Sequence, residues 1–120
     1  MSEKVTSGTV DRVSFDYGLE FLIGGFVLRV EGTARLYEGA VVEFDVEGAQ
    51  SVAVPLVGLL HREVSVSIAA DSTLEFRDFS GALVFEAPPS VECESWTVTA
   101  VDGQKLVCGL GGEISRFPTA

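Results

Sequence analysis

Positive charge is scarce in this 120-residue chain. It has 8 lysines and arginines against 18 aspartates and glutamates, which leaves a formal net charge of −10. A field of that sign repels phosphate backbones and anionic lipid, so nucleic acid and membrane surfaces are not expected partners. An acidic surface instead favours a basic protein partner or a cation, or it serves only to keep a strand-rich protein soluble.

Long hydrophobic runs and an apolar leader are also missing. The longest apolar run, Val52 to Leu60, contains Pro55 and is far too short to cross a bilayer. The N-terminal segment has no apolar signal region before the first predicted strand. We therefore expect a cytoplasmic protein in which residues 1–8 form a flexible tail.

Cysteine is represented only by Cys93 and Cys108. If Asp102-Gly103 forms a two-residue type I′ hairpin turn, the two cysteines lie out of register, about 13 Å apart at the usual strand rise. A disulfide needs Cα atoms within roughly 7 Å of each other. We therefore expect two free thiols, as is usual in a reducing compartment.

Catalytic and metal-binding motifs are not recognisable in the sequence. No serine sits in a Gly-x-Ser-x-Gly elbow, and the glycine-rich stretch 109–112 lacks the lysine and the following helix of a phosphate-binding loop. The single histidine, His61, follows a predicted helix, where it would cap the helix C-terminus or be exposed. We expect no catalytic residue, no cofactor and no metal site, and hence no enzymatic activity.

What the sequence does contain is a repeated strand–turn–strand unit. The tripeptide Leu-Glu-Phe occurs at residues 19–21 and again at 74–76, and each time a turn with glycine leads to a second apolar segment, at 26–31 and 82–86. Such units are typical of antiparallel hairpins. The predicted fold is mainly β: an antiparallel sandwich or irregular barrel built from two related β-meanders plus a C-terminal hairpin.

The whole chain, residues 1–120, is predicted to form a single domain. The one departure from strands is a short helix at about 54–61, because apolar residues cluster there at helical spacing and Pro55 is tolerated in a first helical turn.

The first repeat can be paired residue by residue. A two-residue glycine turn at 24–25 places Phe21 opposite Leu28 on an apolar face. On the other face, Glu20 falls opposite Arg29 as a cross-strand charge pair. The turn, the apolar face and the charge pair therefore agree on one register.

The predicted register of the second repeat includes one unfavourable pair. A turn at 80–81 places Phe76 opposite Phe85, which continues the apolar face. It also places Glu75 opposite Glu86, and like charges directly opposite each other are unfavourable. Either a nearby cation compensates this pair or the connecting loop is longer than two residues.

The C-terminal third carries a pattern of its own. It has an acid-x-Trp element at 94–96, a DG turn at 102–103, a Leu-Val-Cys strand at 106–108 and a Gly-Gly-Glu close at 111–113. In this pattern the chain resembles a family of small, uncharacterised actinobacterial proteins, and the upstream order of hairpin, short helix and hairpin is similar. The resemblance covers most of the chain and implies a domain of unknown function, with no catalytic residue to carry over.

Three acids share one face of a predicted strand at 41–47, opposite Val42, Phe44 and Val46, which are expected to point inward. Successive carboxylates on a strand face lie roughly 7 Å apart, too far for a compact calcium site. Such a face contacts a basic partner or is simply solvated. These acids and two tyrosines near predicted loop tips are the candidate contact residues: Glu43, Asp45, Glu47, Tyr17 and Tyr37.

Two functional hypotheses follow. The first is a non-enzymatic protein-interaction module that acts through its acidic surface on a protein partner or on its own copy; an immunity-like protein that neutralises a basic toxin would be one example. The alternative is a small-ligand-binding β-barrel, which requires a cavity of at least roughly 300 Å³ lined by a few convergent polar groups.

Overall fold

A computed structural model describes residues 3–15, 18–38, 40–46, 53–91 and 94–118. Within these residues there are eleven strands and one α-helix. The elements are β1 (Glu3–Phe15), β2 (Leu19–Ile23), β3 (Phe26–Val30), β4 (Thr33–Glu38), β5 (Ala40–Asp45), α1 (Ala53–Val57), β6 (Glu63–Ile68), β7 (Leu74–Arg77), β8 (Leu83–Ala87), β9 (Trp96–Thr99), β10 (Lys105–Cys108) and β11 (Ile114–Phe117).

The described strands form one antiparallel sheet in the order β11-β10-β9-β3-β2-β1-β6-β7-β8-β4-β5, which is not closed into a barrel. The predicted mainly-β, antiparallel architecture is therefore confirmed. The described residues include no helix with the length and hydrophobicity needed to cross a bilayer.

The two predicted meanders, β1–β2–β3 and β6–β7–β8, join through their first strands. The long strand β1 pairs with β6 from Glu3 to Thr9 and with β2 from Val10 to Phe15. The prediction of a flexible tail at 1–8 is therefore wrong for residues 3–8, which form half of a central strand. Their hydrogen-bond partners lie some sixty residues away in β6, so no local pattern announces the pairing.

The sheet folds over on itself to enclose the core. Strands β2 and β7 are separated by two intervening strands, which would put them roughly 14 Å apart in a flat sheet. Instead the rings of Phe21 and Phe76, the equivalent residues of the two repeats, pack edge to face with centroids 5.0 Å apart. Phe85 completes an aromatic cluster at 5.1 Å from Phe21 and 4.9 Å from Phe76. The folded sheet is a sandwich with the repeated phenylalanines at its centre.

The hairpin β2–β3 has the predicted register throughout. Phe21 pairs with Leu28, and Glu20 pairs with Arg29, whose Nη1 lies 3.2 Å from the carboxylate. Gly24 has φ +56, and a Cβ built there would lie 2.8 Å from the carbonyl oxygen of Ser7 in β1. The turn therefore needs glycine for its conformation and for its close packing against β1.

The hairpin β7–β8 confirms the pairing of Phe76 with Phe85 and of Glu75 with Glu86, but not the predicted two-residue turn. The backbone N–H of Asp78 donates to the carbonyl of Ala82 at 2.9 Å, which leaves residues 79–81 as a three-residue loop. A register shift between Phe76 and Arg77 restores the apolar pairing.

The predicted turn of the hairpin β9–β10 is also wrong by one residue. The N–H of Ala100 donates to the carbonyl of Gln104 at 2.8 Å, so residues 101–103 form the loop. Gly103 takes the left-handed position of such a three-residue loop, with φ +89. As a result Cys108 pairs with Trp96, whereas a two-residue turn at 102–103 would have placed it opposite Thr97.

The helix α1 is shorter than the predicted 54–61. It ends at Val57, and the chain continues through a turn in which Leu59 is buried beside the equally buried Leu56 of the helix. His61 lies in this turn with φ +70 and is exposed. Its backbone N–H donates to the carbonyl of Val10 at 2.8 Å. The turn therefore anchors β1, and of the two roles expected for His61 only exposure applies to its side chain.

Candidate functional site

The acidic strand face lies at one end of the sheet. Strand β5 pairs with β4 alone among the described strands, so within that part of the chain its second backbone edge has no strand partner. Val41 is 59% exposed and Val42 38% exposed. Val42 pairs with the buried Leu36 and so lies on the inner face as predicted, but an edge strand is only partly covered and Val42 is not buried, whereas Val46 just beyond it is. Strand β5 presents apolar and acidic side chains and an open edge together.

Arginine from the neighbouring strand partly neutralises this face. Arg35 Nε donates to Glu43 at 2.9 Å, and Arg35 Nη1 donates to Glu86 of β8 at 3.1 Å. These hydrogen bonds raise the pKa of Arg35, which stays charged at every pH of interest. The Glu43 side chain nevertheless remains 59% exposed. One arginine therefore ties the edge strand to the interior of the sheet and leaves the outer carboxylate accessible.

The buried carboxylate Glu86 has a second partner in Tyr37. The tyrosine hydroxyl donates to Glu86 Oε1 at 2.6 Å. This hydrogen bond, with burial next in size, raises the pKa of Tyr37 from its ordinary value of 10.0. Glu75, directly opposite Glu86, is compensated instead by Arg77 at 3.5 Å. The unfavourable carboxylate pair that the sequence predicts is therefore real, and each member has its own cation.

The structure places three of the five candidate contact residues. Glu43 and Asp45 both lie exposed on β5, and Asp45 accepts a hydrogen bond from Thr33 Oγ1 at 3.1 Å. Tyr37 lies near the end of β4, half-buried, with its hydroxyl engaged by Glu86, so the expectation that its side chain is exposed is wrong. Glu47 and Tyr17 lie outside the described residues.

A cleft that sequence reasoning missed opens between the start of β1 and strands β9 to β11. It has a volume of about 410 Å³. Its apolar lining includes Val5, Phe26, Val98 and Leu106, of which Val98 is 2% exposed and the others are partly buried. The charged residues of its described lining are three cations, Lys4, Lys105 and Arg116, and one acid, Glu3.

An ion pair spans this cleft. Arg116 Nη2 of β11 donates to both carboxylate oxygens of Glu3, at 2.6 and 2.8 Å. The pair connects the first described residue of β1 to the last strand of the sheet. The sequence gives little signal for this cleft, because residues 1–8 have the features of a flexible tail. The cleft forms only when β1 is paired along its full length.

Residues of the C-terminal sequence pattern form hydrogen bonds with Ser72. Trp96 Nε1 donates to the Ser72 carbonyl at 2.9 Å, and Ser72 Oγ donates to the carbonyl of Gly112 at 2.6 Å. Ser72 itself is held at φ +71. Trp96 is 1% exposed. The pattern therefore joins the β6–β7 turn to the C-terminal hairpin, which is a structural task.

The cysteine of that pattern is a poor nucleophile. Cys108 is fully buried and unbridged, and burial raises the pKa of its thiol. The predicted free thiol is confirmed for Cys108, whereas Cys93 lies outside the described residues. Among the described residues, no three histidine, cysteine or carboxylate side chains come together as a metal site would require.

Comparison with known proteins gives one match. The model of a family described as "Family of unknown function (DUF6188)" matches residues 1–118. Neither the curated proteins nor the solved structures contain a match to the chain.

Proposed function

We propose that this chain, which belongs to that family of unknown function, is a non-enzymatic interaction module that binds a basic, extended segment of a partner protein along β5. The single observation that carries the proposal is the combination at β5 of an open backbone edge, exposed valines and outward carboxylates. Immunity-like neutralisation of a basic toxin is one form that this activity would take.

Backbone pairing provides the affinity in this mode. An exposed edge strand offers unpaired N–H and C=O groups, to which an extended peptide adds as one more strand. Strand β5 spans six residues, Ala40–Asp45, the length of an ordinary strand pairing. Val42, which lies on the face opposite Glu43 and Asp45 and is 38% exposed, would pack against apolar side chains of the added strand.

Charge provides the selectivity. Glu43 and Asp45 point to one face of β5, so a partner strand with lysine or arginine at alternate positions forms cross-strand charge pairs. A second copy of this chain is the poorer partner. Antiparallel pairing of β5 with itself about Phe44 would put Glu43 directly opposite Asp45, and like charges there are destabilising.

The contacts at other reactive groups also support a binding role over a catalytic one. The Cys108 thiol is buried, the exposed His61 lies in a turn, and the buried carboxylate Glu86 is engaged by Arg35 and Tyr37. We place the module in the cytoplasm, since an unbridged thiol such as Cys108 suits a reducing compartment.

The test is a titration with a synthetic peptide of alternating lysine and valine, followed by amide NMR shifts and hydrogen exchange. We expect shifts and new amide protection along Ala40–Asp45, weaker at high salt. The double variant Glu43→Lys/Asp45→Lys should lose about tenfold or more in affinity, which corresponds to about 1.4 kcal/mol.

The matched control changes two exposed acids away from β5, Glu63→Lys/Glu113→Lys, and keeps the same net charge as the test variant. It should bind the basic peptide nearly as well as the wild type. Equal weakening in both variants would mean that overall charge attracts the peptide without any use of the edge. Shifts spread over the surface, with none concentrated on β5, would also overturn the proposal.

A further inference from the structure

The cleft between β1 and strands β9–β11 does not take part in the function proposed for β5, which lies at the opposite end of the strand order. We propose that this cleft binds a small amphipathic carboxylate, with its apolar chain on the cleft floor and its carboxylate at the lysine rim.

The floor provides an apolar surface that the fold leaves partly uncovered. Val5, Phe26 and Leu106 pack against the core and are only partly buried, and Phe117 at the edge is 52% exposed. An alkyl chain lying on these side chains removes apolar surface from water, which is the main favourable term in binding such a ligand. The volume of about 410 Å³ lies at the lower end of the range for ligand clefts, so a medium-length chain fits better than a large lipid.

The charged residues of the cleft determine the sign of the charge that a ligand should carry. Among the described residues three basic side chains line the cleft, including both lysines of the chain, against one acid, Glu3. In a protein with a net charge of −10, an anion is repelled over most of the surface and attracted here. A cationic or neutral amphiphile would gain nothing from this rim.

The two lysines are the groups available to the ligand. Arg116 is held by Glu3, which occupies its Nη2 atom at 2.6 and 2.8 Å. Neither Lys4 nor Lys105 forms an ion pair with a described residue, and both are exposed. A carboxylate at the rim would therefore meet two ammonium groups, while the Glu3–Arg116 pair holds β11 against β1 and keeps the cleft in shape.

The experiment compares three ligands with the same chain length: decanoate and decyltrimethylammonium below their micelle concentrations, and decanol below its solubility limit. Isothermal titration calorimetry measures affinity, and amide NMR shifts locate the site. We expect saturable decanoate binding with shifts at the cleft residues, weaker decanol binding at the same place, and the weakest binding for the cation. Decyltrimethylammonium binding as tightly as decanoate would overturn the proposal, as would decanoate shifts located elsewhere or no saturable decanoate binding.

Two variants separate the head group from the chain. Lys4→Gln/Lys105→Gln should weaken decanoate about tenfold and leave decanol unchanged, since it removes the charge contacts alone. The matched control Arg12→Gln/Arg62→Gln removes two positive charges outside the cleft and should leave decanoate affinity within about twofold of wild type. Gln104→Trp places a large ring at an exposed position of the lining and should abolish binding of both ligands.

All these substitutions are at exposed or partly exposed positions, and circular dichroism checks that each variant folds. Unchanged decanoate affinity in the lysine variant, or equal loss in the arginine control, would refute the role of the rim. Unchanged affinity after Gln104→Trp would refute the cleft as the site. Because none of these variants alters β5, failure here leaves the β5 proposal standing, and the reverse also holds.

Discussion

The hydrogen bond between Tyr37 and Glu86 provides the sharpest test of the charge network behind β5. Tyr37→Phe removes only the hydroxyl that donates to Glu86 Oε1 at 2.6 Å. A hydrogen bond to a charged group typically contributes about 1.5–3 kcal/mol. Because Tyr37 is half-buried and Glu86 keeps its bond to Arg35, we expect the free energy of unfolding to fall by about 1–2 kcal/mol near neutral pH.

The same substitution should change the pH dependence of stability. The pKa of Tyr37 is raised in the folded protein above its ordinary value of 10.0. A group with a raised folded pKa contributes stability that is complete below the unfolded pKa and is lost as pH rises through the folded value. Phenylalanine does not titrate, so the advantage of the wild type over the variant should shrink above about pH 10.

Urea unfolding of both proteins at about pH 7 and about pH 11 measures these differences. The control is the same substitution in a Glu86→Gln background, where a double-mutant cycle should find a smaller cost of Tyr37→Phe at about pH 7, because the charged acceptor is gone. The reasoning is refuted if Tyr37→Phe is as stable as the wild type at neutral pH, or if the difference between them is the same at both pH values.

Three further predictions concern the scaffold. Trp96→Phe should lower the free energy of unfolding, measured in urea, by about 2–3 kcal/mol, because it removes the indole donor that lies 2.9 Å from the Ser72 carbonyl and opens a small cavity. A loss smaller than the experimental error would contradict this. Gly24→Ala should lower the free energy of unfolding by at least about 1–2 kcal/mol, because φ is +56 and the new Cβ would lie 2.8 Å from the Ser7 carbonyl oxygen. An unchanged melting temperature would contradict the close packing of this turn against β1. In a variant whose other cysteine is serine, Cys108 should react with a thiol reagent only as fast as the protein unfolds, and rapid labelling of the native protein would disprove its burial.

Local pairing was predictable wherever turn chemistry and side-chain pattern agreed. In β2–β3, two glycines at positive φ, an apolar face and the Glu20–Arg29 pair all specify one register, and the structure has it. In β9–β10 the Asp-Gly pair is compatible with loops of two or three residues, since both need Gly103 at positive φ. The difference of one residue decides whether Trp96 or Thr97 faces Cys108, and only packing against the β6–β7 turn selects Trp96.

The candidate site divides in the same way. The alternation of acids along β5 is visible in the sequence, and Glu43 and Asp45 indeed point outward. That β5 ends the sheet, and that Arg35 links it to a buried Glu86, depends on the pairing of β4 with β8. Strand neighbours that are distant in sequence leave no periodic signal, so an edge cannot be distinguished from an interior strand beforehand.

By itself the sequence determined a mainly-β chain with two Leu-Glu-Phe hairpins, an acidic surface and a free thiol at Cys108, because turn residues, alternation and charge act over a few residues. Only the tertiary structure decided that β1 joins the two repeats through β6, that Phe21 meets Phe76 across the folded sheet, and that both lysines line one cleft. These features arise from contacts between segments far apart in the chain, whose free energy comes from burying shared surface and satisfying backbone hydrogen bonds after the strands have met.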